Sequence, residues 1–249
     1  MKPFADHFSR IAASYATFRP HYPETLFAWL ASVAPTRVRA WDCGTGNGQA
    51  AAALSRQFTH VVATDASLAQ IGSAEPAGAI SYAVMTAERP AIASGSVALV
   101  TVAQALHWFD RDVFFAEARR VLVPRGVVAV WSYGLCSLGD AALDETMRHF
   151  HSDTVGPYWP AERALVDAGY DRLPFPFDEL RPPEFAMTAE WTLAQLEGYV
   201  DTWSAVQRAR AETGTDPLPD LVSSLRNAWG REGSSRTVRW PLSLRTGRV

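Results

Sequence analysis

Lysine is nearly absent: of 23 basic residues one is lysine, Lys2, and the rest are arginine. A P-loop needs a lysine to reach nucleotide phosphates, so that fold of the glycine loop is excluded. The tyrosine–lysine pairing of short-chain dehydrogenases is excluded for the same reason. Cysteine is also scarce. Cys43 and Cys136 are too few for a disulfide framework and predict a reducing compartment. No stretch reaches the ~18 apolar residues of a membrane span. The opening segment, MKPFADHFSRIAASYATF, lacks the apolar centre of a signal peptide. These absences predict a cytoplasmic chain with no membrane partner. No basic run is present and the formal net charge is −3, which gives nucleic acid no electrostatic footprint.

What is present is an ordinary globular composition, 48% hydrophobic and 20% charged over 249 residues, enough for one sizeable core. A regular rhythm runs through the first half. HYPETLFAWLASVAP reads as a helix with Pro23 in its first turn, where a missing N–H is harmless. RVRAW, THVVATD, AISYAV, VALVTVAQ and VVAVWSY read as strands. The segments NGQAAAALSRQF, SLAQ and DRDVFFAEARRVL read as helices among them, with Ser67–Gln70 a capping box and Asp110 an N-cap. Strands alternating with helices predict a doubly wound α/β fold with a mostly parallel sheet.

After Tyr133 the rhythm breaks into helices and Pro-rich links with one expected strand. TLAQLEGYVDTWSAV reads as a single helix, capped by Thr192 and Gln195, with Leu193, Leu196, Val200 and Trp203 on one face. TVRWPLSLRTGRV reads as one last strand returning antiparallel to the sheet edge. The expected organisation is a cofactor-binding core over 1–134, a largely helical insertion over 135–234, and a last core strand over 235–249.

The chemistry centres on WDCGTGNGQA. Gly46, Gly48 and Ala51 fit G-x-G-x-x-A, and Asp65 follows at a spacing suited to a ribose. A dinucleotide therefore stays open as an occupant. Asp42 at the mouth of the loop argues against it, because a pyrophosphate would meet a like charge and an ammonium group would not. An adenosyl amino acid is the better fit. A plain strand–helix turn with no ligand is the bland reading.

WDCGTGNGQA, Asp65, MTAERP and SVALVTVAQALHWFD together resemble a class I S-adenosylmethionine-dependent methyltransferase, whose fold carries a seven-stranded sheet. YATFRPHYPETL, AQALHWF and YVDTWSAV resemble the type 11 branch that includes trans-aconitate methyltransferases. The resemblance implies that Asp42, Gly44, Thr45 and Gly46 hold the methionine end of S-adenosylmethionine. Asp65, with Ala66 beside it, would take the ribose hydroxyls. Thr86, Ala87 and Glu88 fall at the adenine, although many relatives carry aspartate where Thr86 stands. Gln104 and Ala105 would flank the sulfonium, and the product would be S-adenosylhomocysteine.

In-line methyl transfer needs alignment and water exclusion, and a base only when the nucleophile arrives protonated. His107 is the candidate base or orienter, with a loop-shaping histidine as the alternative. Tyr15 and Arg19 lie in a segment expected to close over the cofactor, and Arg19 could pair with a carboxylate. Trp108, Trp203 and Ser204 are candidate walls of the acceptor pocket, with core packing the alternative for Trp203. The histidines of HFHSD would point to different faces of a helix, so no metal site is expected. The resulting expectation is O-methylation of a carboxylate or hydroxyl on a small-molecule acceptor. The rival readings are an NAD(P)-dependent oxidoreductase and an inactive cofactor-binding interaction protein.

Overall fold

The computed structural model describes residues 20–74, 78–231 and 233–249. Helix α1 (Glu24–Val33) has Pro23 at its N-cap, just outside the first turn, and buries Leu26, Phe27, Leu30 and Ala31 along one stripe. Strands β1 (Arg39–Cys43), β2 (His60–Asp65), β3 (Ile80–Val84), β4 (Val97–Ala103) and β5 (Leu122–Ser132) then pair in parallel. Helices α2 (Gln49–Leu54), α3 (Leu68–Gly72) and α4 (Arg111–Val121) lie among them. Asp110 accepts from the Val113 amide as expected. At Ser67 half of the expected capping box forms, its hydroxyl accepting from the Gln70 amide while its own amide donates to Asp65.

The seven-stranded sheet has the order β3-β2-β1-β4-β5-β9-β6, where β6 is Asp178–Leu180 and β9 is Ser243–Arg248. Strand β9 runs antiparallel to both neighbours. Period-two alternation builds the two apolar layers. Trp41, Val100, Val128 and Val130 pack with Phe114, Phe115 and Val121 on one face. Ala40, Leu99, Ala129 and Trp131 pack with Leu26, Leu30 and Leu54 on the other. A register shift between Val97 and Leu99 accommodates the early start of β5, which follows α4 without a loop.

A third core fills the insertion. Its elements are α5 (Ala141–His149), β7 (Ala186–Thr192), α7 (Leu193–Asp201), α8 (Ser204–Thr213), α9 (Leu218–Trp229) and β8 (Ser235–Pro241), while α6 (Arg163–Asp167) turns Val166 toward the main sheet instead. Met147, Leu196, Trp203, Leu225, Trp229 and Trp240 meet at its centre.

Three expectations are corrected here. TVRWPLSLRTGRV is two strands: β8 pairs with β7 in a separate two-stranded sheet, and only β9 joins the core. Strand β9 does not sit at the sheet edge either, because β6 lies beyond it, so residues 135–234 carry two strands, β6 and β7, where one was expected. Finally, the helix read through YVDTWSAV breaks after Asp201. The Thr202 hydroxyl and amide both donate to the Tyr199 carbonyl, at 2.6 and 3.1 Å, and Trp203 is extended at the N-cap of α8. A threonine bonding back to its own turn competes with continuation of the helix.

Candidate active site

Strand β1 delivers the chain into a loop whose three glycines all have positive φ, +69° at Gly44, +57° at Gly46 and +88° at Gly48. At Gly44 a Cβ would stand 2.6 Å from Ala105 Cβ and 3.1 Å from Phe109, and at Gly48 it would strike the Tyr82 hydroxyl. Those two positions need glycine for space as well as for conformation. Gly46 has a looser setting, with the Gln70 amide oxygen 3.7 Å from a Cβ. The loop thus presses its backbone against the end of β4 and keeps an open middle.

The carboxylate of Asp42 is fully buried beneath this loop, not at its mouth. Thr45 Oγ1 donates to Oδ2 at 2.5 Å and Thr101 Oγ1 to Oδ1 at 2.7 Å. Burial pushes its pKa up to about 6, against the pull of those two hydroxyls. Thr45 is buried with it. Asp65, at the end of β2, accepts from the Gly46 amide at 2.9 Å through Oδ2 and from the Ser67 amide at 2.8 Å through Oδ1. Ala66 is the half-buried residue between Asp65 and that cap. After β3, Thr86 is exposed and Ala87 buried. Glu88 accepts from the Asp110 amide at 3.0 Å and so fastens the start of α4.

Gln104, straight after β4, has φ +54°, a left-handed conformation that costs a non-glycine residue about 1–3 kcal/mol. Its amide donates to Trp131 O and its Nε2 to Tyr133 O, both at 2.9 Å. Its Oε1 is buried and has no partner among the described residues. A strained backbone holding an unpaired acceptor suits a ligand that brings a donor. Ala105 packs against Gly44 from the same turn.

The chain then enters a short 3-10 helix, Leu106–Trp108, which carries His107 into a cleft of about 90 Å³. Gln104, Trp108, Tyr133, Trp159, Arg163, Tyr199, Trp203 and Ser204 are among its walls. The Arg163 guanidinium lies 4.4 Å over the Trp159 ring, and its Nε donates to Asp167 Oδ1 at 2.8 Å. Trp159 and Trp203 face each other at 5.6 Å, backed by His151 at 5.0 and 5.6 Å. His107 Nδ1 stands 2.8 Å from the Tyr170 hydroxyl. Burial and the nearby Arg163 charge lower the pKa of both His107 and His151 to about 4, so both rings are neutral at pH 7. Burial raises that of Tyr170.

The structure therefore brings together the glycine loop, Asp65, Gln104, Ala105, His107, Trp108, Trp203 and Ser204. Tyr15 and Arg19 lie outside the described residues. His149 is exposed and bonded to Asp153 while His151 is buried, so the HFHSD histidines do point apart. Sequence reasoning missed Trp159, Arg163 and Tyr170. Trp159 is extended and the helix that carries Arg163 starts only at that residue, so their spacing in WPAER follows no helical period and left no signal, nor did Tyr170.

Residues 41–130 match the methyltransferase domain family. A Dictyostelium discoideum protein provisionally described as a methyltransferase is 32% identical over 94% of this chain and 91% of its own. A solved structure from Anaeromyxobacter dehalogenans, provisionally described as a type II methyltransferase, is 43% identical, covers 93% of this chain and 98% of its own, and superposes with a TM-score of 0.88. The malonyl-[acyl-carrier protein] O-methyltransferase of Dechloromonas aromatica is 31% identical over 58% of this chain and 56% of its own. With the seven-stranded sheet and the glycine loop, these likenesses place the chain in the class I S-adenosylmethionine-dependent methyltransferase family.

Proposed function

We propose that the chain methylates a carboxylate oxygen of a small-molecule acceptor bound in the aromatic cleft. The observation that carries this reading is Arg163, a cation laid on Trp159 inside that cleft. Among the described residues its terminal amino groups have no partner, since Asp167 takes only Nε. A guanidinium presents paired donors that match a carboxylate. The name of the Dechloromonas relative, an O-methyltransferase, supports the same acceptor atom.

S-adenosylmethionine would supply a methyl group on a positively charged sulfur, so the protein's share is binding, alignment and exclusion of water. Gly44 and Gly46 would offer backbone groups to the methionine end, Asp65 its carboxylate to the ribose, and Thr86 to Glu88 a wall for the adenine. The unpaired Oε1 of Gln104 fits a donor brought by such a cofactor. Asp42 and Thr45 would act from beneath, holding the loop in shape. His107, neutral and weakly basic, suits an acceptor that is already ionised and needs no proton removed.

The test begins with calorimetric titration against S-adenosylmethionine, S-adenosylhomocysteine and NAD(P), followed by mass-spectrometric detection of methyl esters across a panel of carboxylic acids and alcohols. Saturable binding of the two sulfur nucleotides and ester formation are expected. Arg163→Ala should raise the acceptor KM roughly tenfold or more and leave S-adenosylhomocysteine binding unchanged. Methylation of alcohols alone, or an unchanged KM in Arg163→Ala, would remove the carboxylate reading. Binding of NAD(P) alone would remove the cofactor assignment.

A further inference from the structure

His107 and Tyr170 come from opposite parts of the molecule, one after β4 and the other from the insertion, and meet at 2.8 Å. Tyr170 is 1% exposed and, with φ +63°, occupies a left-handed conformation that a bulky residue adopts only when its surroundings impose it. Those surroundings can be named. Arg245 on β9 donates through Nη1 to the carbonyls of Tyr170 and Leu173, at 3.1 and 2.6 Å, and through Nη2 to Glu179 at 2.7 Å. Gly169, immediately before, lies so close to Ser243 that a Cβ would stand 2.6 Å from its hydroxyl. A backbone forced into strain and clamped on two sides delivers one hydroxyl to one imidazole nitrogen. Nothing else among the described residues bonds to that imidazole.

The two ring nitrogens are thus unequal. Nδ1 faces Tyr170, which takes no part in lining the cleft, whereas the ring lines the cleft and Nε2 is not among the buried unpartnered atoms. The Tyr170 hydroxyl is buried and has no other partner among the described residues, so Nδ1 is the one acceptor offered to its hydrogen; were Nδ1 the donor, that hydrogen would be left unmet in the core. The partner of one imidazole nitrogen sets the proton on the other.

We propose that Tyr170 is a positioning residue that donates to His107 Nδ1, fixing the Nε2–H tautomer so that His107 acts on the acceptor as a hydrogen-bond donor and not as a base. The role of that donor rests on the methyl-transfer reading of the cleft; the tautomer does not. A neutral N–H aimed at the acceptor would engage one carboxylate lone pair and orient it, whereas a bare ring nitrogen in that place would set lone pair against lone pair. It also explains why a histidine beside the transfer site is placed where burial and Arg163 disfavour its protonation.

The deciding measurement is the two-bond proton–nitrogen imidazole spectrum of the nitrogen-15-labelled full chain at pH 7, with His107 assigned by its loss in His107→Gln. The expected wild-type pattern is the Nε2–H tautomer, shifting toward a mixture in Tyr170→Phe. With an accepted substrate, Tyr170→Phe should lower kcat roughly 10- to 100-fold with a smaller change in acceptor KM. His107→Gln, whose side-chain amide can still donate, should retain more turnover than His107→Ala. An Nδ1–H pattern in the wild type overturns the proposal even if Tyr170→Phe fails to fold, as does a Tyr170→Phe spectrum identical to wild type. Because the spectrum needs no turnover, absence of any accepted carboxylate would count against the functional reading and leave the tautomer decided on its own.

Discussion

Asp42 spends its two oxygens on threonines and has no contact with water. Two neutral hydroxyls offset only part of the cost of removing a carboxylate from solvent, which is why its pKa stands at about 6 against an ordinary 3.8. The folded state therefore binds a proton more tightly than the unfolded chain, and this group's contribution to stability falls as pH rises from about 4 to about 6. A shift of about two units corresponds to about 3 kcal/mol. His107 and His151, with lowered pKa values, run the other way and lose stability as pH falls from about 6.5 toward 4. Comparing Asp42→Asn with wild type cancels the histidines. Urea unfolding at a series of pH values should show the variant gaining on wild type by up to about 3 kcal/mol between pH 4 and 6. Parallel pH curves would mean that the buried carboxyl keeps its ordinary affinity for protons.

Among the elements, the parallel strands and their helices were legible because strand and helix periods differ and burial on both faces makes a strand such as VALVTVA almost wholly apolar. The glycine loop and Asp65 were legible because positive φ and a strand-end acid leave residue-type signatures. The insertion was less so. In YVDTWSAV the apolar period continues unbroken through residues 202 and 203, and the break comes from a local hydrogen bond of Thr202 that periodicity does not register. That break turns Trp203 from the back of one helix to the N-cap of the next, where it meets Phe150, Trp159 and Tyr199 and still lines the cleft. Trp203 packs in the insertion's core and also lines the cleft, so the two alternatives that the sequence left for it do not exclude each other. Trp203→Ala should cost about 3–5 kcal/mol by chemical denaturation. It should also weaken acceptor binding and leave S-adenosylhomocysteine affinity within a factor of two or so, since the glycine loop stands on other elements. Equal loss of both ligands would show that the cleft and the cofactor loop are not separable.

Over the whole molecule, the chain does not divide where its composition does. The insertion sends β6 into the main sheet, and Val166, Tyr170 and Phe177 into the apolar layer beside Phe115 and Val130. Strands β8 and β9 belong to different sheets with only Leu242 between them, so the last turn of chain ties both sheets together. Arg245 on β9 bonds to three residues of the insertion. Two bodies joined by a linker would unfold in two steps; bodies that share strands and a core lose each other's contacts at once. Thermal unfolding should accordingly give one transition, with far-ultraviolet ellipticity and tryptophan fluorescence coincident. The tryptophans make this a sharp test, because Trp41 and Trp131 report on the main sheet while Trp191, Trp203, Trp229 and Trp240 report on the insertion. Saturation with S-adenosylhomocysteine at about a hundred times its Kd should stabilise the whole transition by about 2.7 kcal/mol and leave it single. A fluorescence change that precedes the loss of sheet ellipticity, with only the later step moved by the nucleotide, would show an insertion that melts independently of the main sheet.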